Sequence, residues 1–345
     1  MSWDLTTATY VSARSVAAQD TTLLSVTLSG DGTKMFVLGR DNNSVYRYDL
    51  STAWDITAAV YVSLKSVAAQ DAAPLGVTFS GDGTKMFMVG YTSKSVYRYD
   101  LSTAWDLTTA TYVSLKSVSA QDSISYGMAF SGDGTKMFVV GDANNSVYRH
   151  DLSTAWDITT AVYVSLKSVA AQDTLPLGAT FSPDGTKMFM VGYINNSIYR
   201  YDLSAAWDIT TATYVSTKSA AAQDATARGI ALSGDGTKMF VMGDTNNSVY
   251  RYDMIAPPAT VTGTPAAASS ASDAEVTAGS LVLTGTPADA TSATDAAPTS
   301  EDFSTATPPE RTHTVTAESR RTIVPAENRV TTIPAESRTT TIGAP

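Results

Sequence analysis

The chain has 345 residues, 43 % of them apolar and 16 % charged, which is enough apolar material for one large core or two smaller ones. A net charge of −10 argues against nucleic acid or an anionic membrane as a partner, since both contacts need a basic face, and the lack of cysteine excludes disulfides, thiol chemistry and Cys-based zinc sites. The opening "MSWDLTTATY" has no basic or apolar leader region, and no apolar run approaches the roughly 20 residues that span a bilayer, so neither an export signal nor membrane insertion is expected.

In chain order, the first element is "ATYVSAR" from Ala8, whose alternation and polarity suit a half-exposed outer strand. "SVTLS" from Ser25 is short and rich in small residues, as a crowded inner strand should be. "KMFVLG" from Lys34 is a continuous apolar run, expected of a strand covered on both faces. "SVYRYDL" from Ser44 sets Tyr46 and Tyr48 on one face and Val45 and Arg47 on the other. The "GDG" between the second and third elements predicts a hairpin turn, because Asp-Gly tolerates the positive φ of tight turns.

This unit then recurs. "SGDGTKMFVLG" at Ser29 returns nearly unchanged at Ser80, Ser131, Ser182 and Ser233, and Trp3, Trp54, Trp105, Trp156 and Trp207 keep the same 51-residue spacing. Four strands in about 50 residues predict a propeller blade. The chain opens on an outer strand and its fifth unit ends without one, so the count balances only if the first strand completes the last blade. The expected fold is all-β: a five-bladed β-propeller over residues 1–253, closed by its own N-terminal strand. "SPDGTKMFMVG" followed by "NNSIYRYDLS" resembles the NHL and YVTN class of propellers, a resemblance that implies architecture and not activity.

The ring offers little for catalysis. His150 is its one histidine and stands where other units have Tyr48, Tyr99, Tyr201 and Tyr252, which marks a structural substitution. Serines repeat too uniformly to include a nucleophile, so no enzyme activity, metal or cofactor is expected. Asp20, Asp71, Asp122, Asp173 and Asp224 follow a glutamine in every unit. They could form a Ca²⁺ ring, but identity in all five copies favours carboxylates that accept backbone N–H groups and fix a loop.

Differences between copies fall in two windows, after "QD" and after the glycine of the apolar strand, which a four-stranded blade opens on one face. They carry Arg40, Tyr91, Tyr126, Asp142, Tyr193, Arg228 and Asp244. Aromatic faces with Arg and Asp suit sugar rings and hydroxyls, so these seven are the candidate ligand-binding residues and a host-surface glycan the expected ligand.

Past Met254 the composition turns to Ala, Thr, Pro and Ser: a linker over 254–273, then a short β segment and linker over 274–310, with "VTAGSLVLTGTPA" from Val276 expected as a hairpin. Over 311–345, "TAESR", "PAENR" and "PAESR" recur at nine residues, with "RTIV", "VTTI" and "TTTI" as strands between "PAE" turns. The apolar set Val315, Ile323, Val324, Val330, Ile333 and Ile342 is too small for a core, so this fibrous β-repeat tail is expected to anchor the chain and make it an oligomer, a trimer, unless it stays solvated. "GSLVLTG" and the PAE(S/N)R repeats resemble the C-termini of tailed-bacteriophage virion proteins, of tail-fibre or head-decoration type. That resemblance implies a virion component assembled in the host cytoplasm and released by lysis, with other virion proteins as partners. Alternatives are a purely structural capsid or tail decoration protein, a bacterial surface adhesin and a propeller hydrolase.

Overall fold

A run such as Met35–Leu38 has no polar face to give to water, so each copy must lie inside a sheet that is itself packed on both sides. The computed structural model describes residues 3–254 and, beyond them, four short strands. The chain divides into two units, Met1–Ile255 and Ala256–Pro345.

The first unit is five four-stranded antiparallel blades. Blade 1 runs from the centre outward as β2 (Leu23–Leu28), β3 (Lys34–Gly39), β4 (Ser44–Leu50) and β5 (Ala59–Ser66). Blade 2 is β6 (Pro74–Phe79), β7 (Lys85–Gly90), β8 (Ser95–Leu101) and β9 (Ala110–Ser117), and blade 3 is β10 (Ser125–Phe130), β11 (Lys136–Gly141), β12 (Ser146–Leu152) and β13 (Ala161–Ser168). Blade 4 follows as β14 (Pro176–Phe181), β15 (Lys187–Gly192), β16 (Ser197–Leu203) and β17 (Ala212–Ser219). Blade 5 takes β18 (Ala227–Leu232), β19 (Lys238–Gly243) and β20 (Ser248–Met254) from the end of the repeats and its outer strand, β1 (Ala8–Ser15), from the start. The expected closure is therefore the one observed, with Ala8 opposite Met254 and Ser15 opposite Ser248. The inner strand begins two residues earlier than its sequence pattern suggested, and the positive φ of the "GDG" turn falls on its second glycine, Gly32 at 69°, not on the aspartate.

Each blade is locked to the one before it by its tryptophan. Trp105 of blade 2 stacks on Phe36 of blade 1 (5.8 Å, 26°) and tilts against Phe79 of its own blade (5.6 Å). Its carbonyl accepts a hydrogen bond from Arg47 of blade 1 (3.3 Å), a guanidinium that Asp49 holds in place at 2.8 Å. A Cβ on Gly83 would run into the Trp105 indole, so only glycine fits beneath it, at a φ of 71° that glycine adopts without strain. Trp54, Trp156 and Trp207 repeat the arrangement, and Trp3 performs it for blade 5 against Phe189 and Arg200 of blade 4. The tryptophans are mortar, as five copies of one packing duty imply.

The outer strands pair on one side only and expose apolar groups, among them Val60 and Tyr61 in β5 and Val162 and Tyr163 in β13. Each is broken by a bulge: Arg47 faces Ser63 and Tyr48 faces Tyr61, which leaves Val62 without a partner. A bulge at that place blunts an edge against pairing with another chain.

In the second unit the described residues form a four-stranded antiparallel sheet, ordered β21 (Val282–Leu283), β23 (Arg329–Thr332), β24 (Arg338–Gly343) and β22 (Glu310–Val315). The hairpin expected around Val276 is corrected in its described part, because Val282 and Leu283 pair with Val330 and Arg329 and not with a local partner. Val315, Val330 and Ile342 fall in these strands, whereas Ile323, Val324 and Ile333, and with them the "RTIV" segment, lie outside the described residues.

Truncating Trp105 to alanine removes an indole wedged between two blades, and should lower the unfolding free energy by about 3 kcal/mol. Urea denaturation of the full chain measures this; an unchanged midpoint would show that the indole does not carry the joint.

Candidate functional site

The two variable windows do meet on one face, and the repeated aspartate is what joins them. Asp20 accepts from the backbone N–H of Thr22 (3.0 Å) in the loop ahead of β2, and from Asp41 (3.2 Å) and Asn42 (3.0 Å) in the loop after β3. The Tyr46 hydroxyl donates to the same carboxylate at 3.3 Å. Asp71, Asp122, Asp173 and Asp224 make the corresponding backbone bonds in their blades, and all five are buried. The loop-fixing role expected of them is the one they perform.

This face surrounds one mouth of a central channel of about 210 Å³, walled by the five inner strands. The glycines of "LG" and "YG" let those strands crowd the axis: a Cβ on Gly127 would meet the Leu177 carbonyl and Gly178 of the next blade. Equivalent positions of the five repeats place Leu24, Leu75, Tyr126, Leu177 and Arg228 along the channel lining. A second set of equivalent positions follows the β3-type strands: Arg40, Tyr91, Asp142, Tyr193 and Asp244. All seven candidate residues thus belong to two sets of equivalent positions on this one face.

Not all seven are equally free. Arg228 donates to the Asp244 carboxylate at 2.9 Å and lies 4.8 Å over the Tyr193 ring, so these three form one satisfied cluster. Asp244 also accepts from the Leu23 N–H of the following blade at 3.2 Å. Asp142 occupies the same place in blade 3 and makes neither bond: Tyr126 stands where Arg228 would be, and Pro176, which has no N–H, stands where Leu23 would be. Burial and the nearby Asp122 carboxylate raise the Asp142 carboxyl above its ordinary pKa. The Tyr126 hydroxyl is raised as well, first by burial and then by Asp142. Arg40 and Tyr91 are exposed, and their side chains make no hydrogen bond among the described residues.

A further set of equivalent residues escaped the sequence reading. Asn43, Asn145, Asn196 and Asn247 hold a left-handed turn residue (φ 46° to 49°) and reach across to the next blade. The Asn196 carboxamide donates to the Asp224 carbonyl and accepts from the Ala227 N–H; oriented to satisfy their surroundings, Asn43, Asn145 and Asn247 donate to the carbonyls of Ala72, Thr174 and Thr21. Lys94 takes this place in blade 2 at φ 54°, so the joint to blade 3 has no such latch. Just across that joint, Ser125 Oγ is buried without a partner. The signal was present in the repeats, where "SKS" at Ser93 replaces "NNS".

His150 lies within β12, 1 % exposed, with neither ring nitrogen hydrogen-bonded among the described residues. Its four tyrosine counterparts each donate to the glutamine of their blade, as Tyr48 does to Gln19 at 2.6 Å and Tyr99 to Gln70 at 2.8 Å. Burial, with a smaller contribution from Lys116, pulls the imidazole down to about 4.

No protein family and no curated protein matches the sequence. Among solved structures, a functionally unknown protein from Desulfotomaculum acetoxidans is similar at 15 % identity and a TM-score of 0.40, over 64 % of this chain and 62 % of its own. A 6-phosphogluconolactonase-like protein from Bacteroides uniformis is similar at 12 % and 0.42, over 65 % and 64 %. The β-propeller domain of Cps50 (Swd1) from Myceliophteria thermophila is similar at 12 % and 0.42, over 68 % and 83 %. The chain spans less than two thirds of the length of the first two.

Two outcomes follow for stability. Lys94→Asn supplies a residue suited to the left-handed turn and the missing latch, and should raise the unfolding free energy by about 1 kcal/mol; a loss in urea denaturation would refute the latch. His150→Tyr restores the bond to Gln121 and removes a titration. The unfolded histidine takes a proton near pH 6.5 that the folded one refuses until about pH 4, so the parent loses stability as pH falls through that window, by up to about 3 kcal/mol, and the tyrosine variant escapes this loss. Parallel unfolding curves at pH 7 and pH 4.5 measure the difference, and a constant gap between the two proteins would contradict it.

Proposed function

We propose that this protein is a displayed binding module, the surface appendage of a bacteriophage virion, whose propeller recognises a host-surface glycan at one mouth of its channel. The observation that carries the binding role is the placement of unlike side chains: five blades alike in strand cores, tryptophan joints and opposite face differ around a single opening. Tyrosines at that opening supply apolar platforms for sugar C–H groups, and Arg40 and Asp142 supply hydrogen-bonding ends. The virion assignment rests on the PAE(S/N)R repeats, which would anchor a trimer to other virion proteins.

A decoration protein is the second reading, favoured by the apolar outer strands, which would pack against neighbours around the circumference. One experiment separates the two. Purified full-length protein is assayed for retention on bacterial cells and on surface polysaccharides isolated from them. The double change Tyr91→Ala and Tyr193→Ala should lower retention by about tenfold or more, while Lys85→Ala on the opposite face leaves it unaltered. Equal retention by a folded double variant would move the contact off this mouth and support decoration instead.

A further inference from the structure

The mouth carries one pair of residues twice. Tyr193 and Asp244 stand at equivalent positions of blades 4 and 5, and Tyr91 and Asp142 stand at the same positions of blades 2 and 3. Arg228 bridges the first pair: its guanidinium lies 4.8 Å over the Tyr193 ring and donates to the Asp244 carboxylate at 2.9 Å. A cation between an aromatic face and a carboxylate is stabilised by both. At the second pair the counterpart of Arg228 is Tyr126, which brings no charge. Its ring lines the channel and packs on two clusters of buried residues, one holding Leu177 and the other Leu24 and Leu75. Tyr91 is left 44 % exposed with no cation over its ring among the described residues, and Asp142 has neither of the donors that Asp244 accepts from.

We propose that Tyr91, Tyr126 and Asp142 form a site for an organic cation, to which the ligand brings the charge that Arg228 supplies from within the chain at blade 5. The inference rests on the mouth being a glycan-binding face, and it names the sugar: the cation a saccharide carries is the protonated amine of an unacetylated amino sugar. That ammonium donates to the Asp142 carboxylate against the bare face of Tyr91, and the Tyr126 ring meets the apolar side of the sugar. The local charge agrees with this assignment. Burial and the Asp122 carboxylate are what raise the Asp142 carboxyl, and neither Arg40 nor Lys94, from the two preceding blades, acts on it. An acidic sugar would meet repulsion there, and an N-acetylated one would offer no charge to a carboxylate that has no cation of its own.

The test is calorimetric titration of the full chain with the β-linked disaccharide of glucosamine and with its N-acetylated counterpart, which lacks the charge. Wild type should bind the free amine more tightly by about tenfold or more, the scale of a hydrogen bond to a charged group, at one site per chain. Asp142→Asn should remove that preference. Asp133→Asn takes the same charge from the turn at the other end of β10 and should keep it. Tyr126→Arg rebuilds the blade 5 arrangement, fills the site from within and should also abolish binding of the amine. Arg228→Tyr does the converse: it frees Tyr193 and Asp244 and should raise the stoichiometry from one to two, a gain that misfolding cannot produce. Equal affinity for the two disaccharides, or a preference that survives Asp142→Asn, would overturn the site. Retention of the Tyr91 and Tyr193 double variant on cells reports separately on the mouth. Lost retention without an amine preference in the wild type leaves the mouth as the binding face and refutes the cation site. An amine preference with unaltered retention upholds the site and refutes a host-surface polysaccharide as the source of its ligand.

Discussion

The pairing of β1 with β20 is the contact on which everything else depends. It joins residues 235 to 244 positions apart in the pairs Thr9 with Asp253 through Arg14 with Val249, and it turns a linear array into a ring. Without it blade 5 has three strands, and Trp3 does not reach Phe189 and Arg200 of blade 4. Two joints are thus made by one short N-terminal segment: the strand completes its blade, and the tryptophan ahead of it cements that blade to its neighbour. Closing so long a loop costs little more than closing a short one, because the entropy grows only with the logarithm of length. What it governs is rate, since the contact comes last in synthesis and is the least local in the molecule.

Closure removes the two ends of the array but leaves five outer edges. The molecule handles these uniformly, with a bulge in each outer strand and, in four of them, a lysine near the end; Lys65 and Lys167 reach to the carbonyls of Ala110 and Ala212 in the following blade. The same lysines therefore serve as inter-blade ties and as charges on an edge that would otherwise invite pairing. Apolar side chains such as Val60 and Val162 remain outside, so the bulge carries much of the protection.

The fold was legible because a propeller writes its periodicity directly into the chain: strand identity, turn position, blade count and closure all follow from one 51-residue unit and the strand left over at each end. The duty of the Gln-Asp pair was legible too, since a group repeated in every unit must do something that every unit needs. Contacts that cross from one blade to the next were not. Asn43 meets Ala72, and Asp244 meets Leu23, through geometry that no local pattern displays. The positive φ of Trp54, Trp105, Trp156 and Trp207 was hidden for a similar reason, because the preference of a bulky residue points elsewhere and the joint overrides it. The seven candidate residues were correctly drawn to one face, yet their inequality was invisible: that Arg228 is neutralised and Asp142 is not depends on Tyr126 and Pro176, two ordinary substitutions until they are set side by side in space.

A ring of copies gives such substitutions unusual force. In an irregular protein an unpaired carboxylate has no reference against which to be called unpaired, whereas here blade 5 displays the satisfied version of the same site, with both donors in place. The rest of the ring also absorbs the cost. Blades 1, 3, 4 and 5 keep their asparagine, and every blade keeps its aspartate brace and tryptophan joint, so one open joint weakens the disc locally without loosening its axis. Rigid surroundings in turn hold the unpaired groups where they are. A flexible loop would fold its own carboxylate onto the nearest backbone N–H, but Asp142 is pinned by its own N–H to the Ile124 carbonyl and by its carbonyl to the Asn145 N–H, and its carboxylate makes no hydrogen bond among the described residues. Repetition thus makes each mismatch readable: where the copies cease to match, the new side chain either finds a partner, as Arg228 does in Asp244, or is left without one, as Asp142 is.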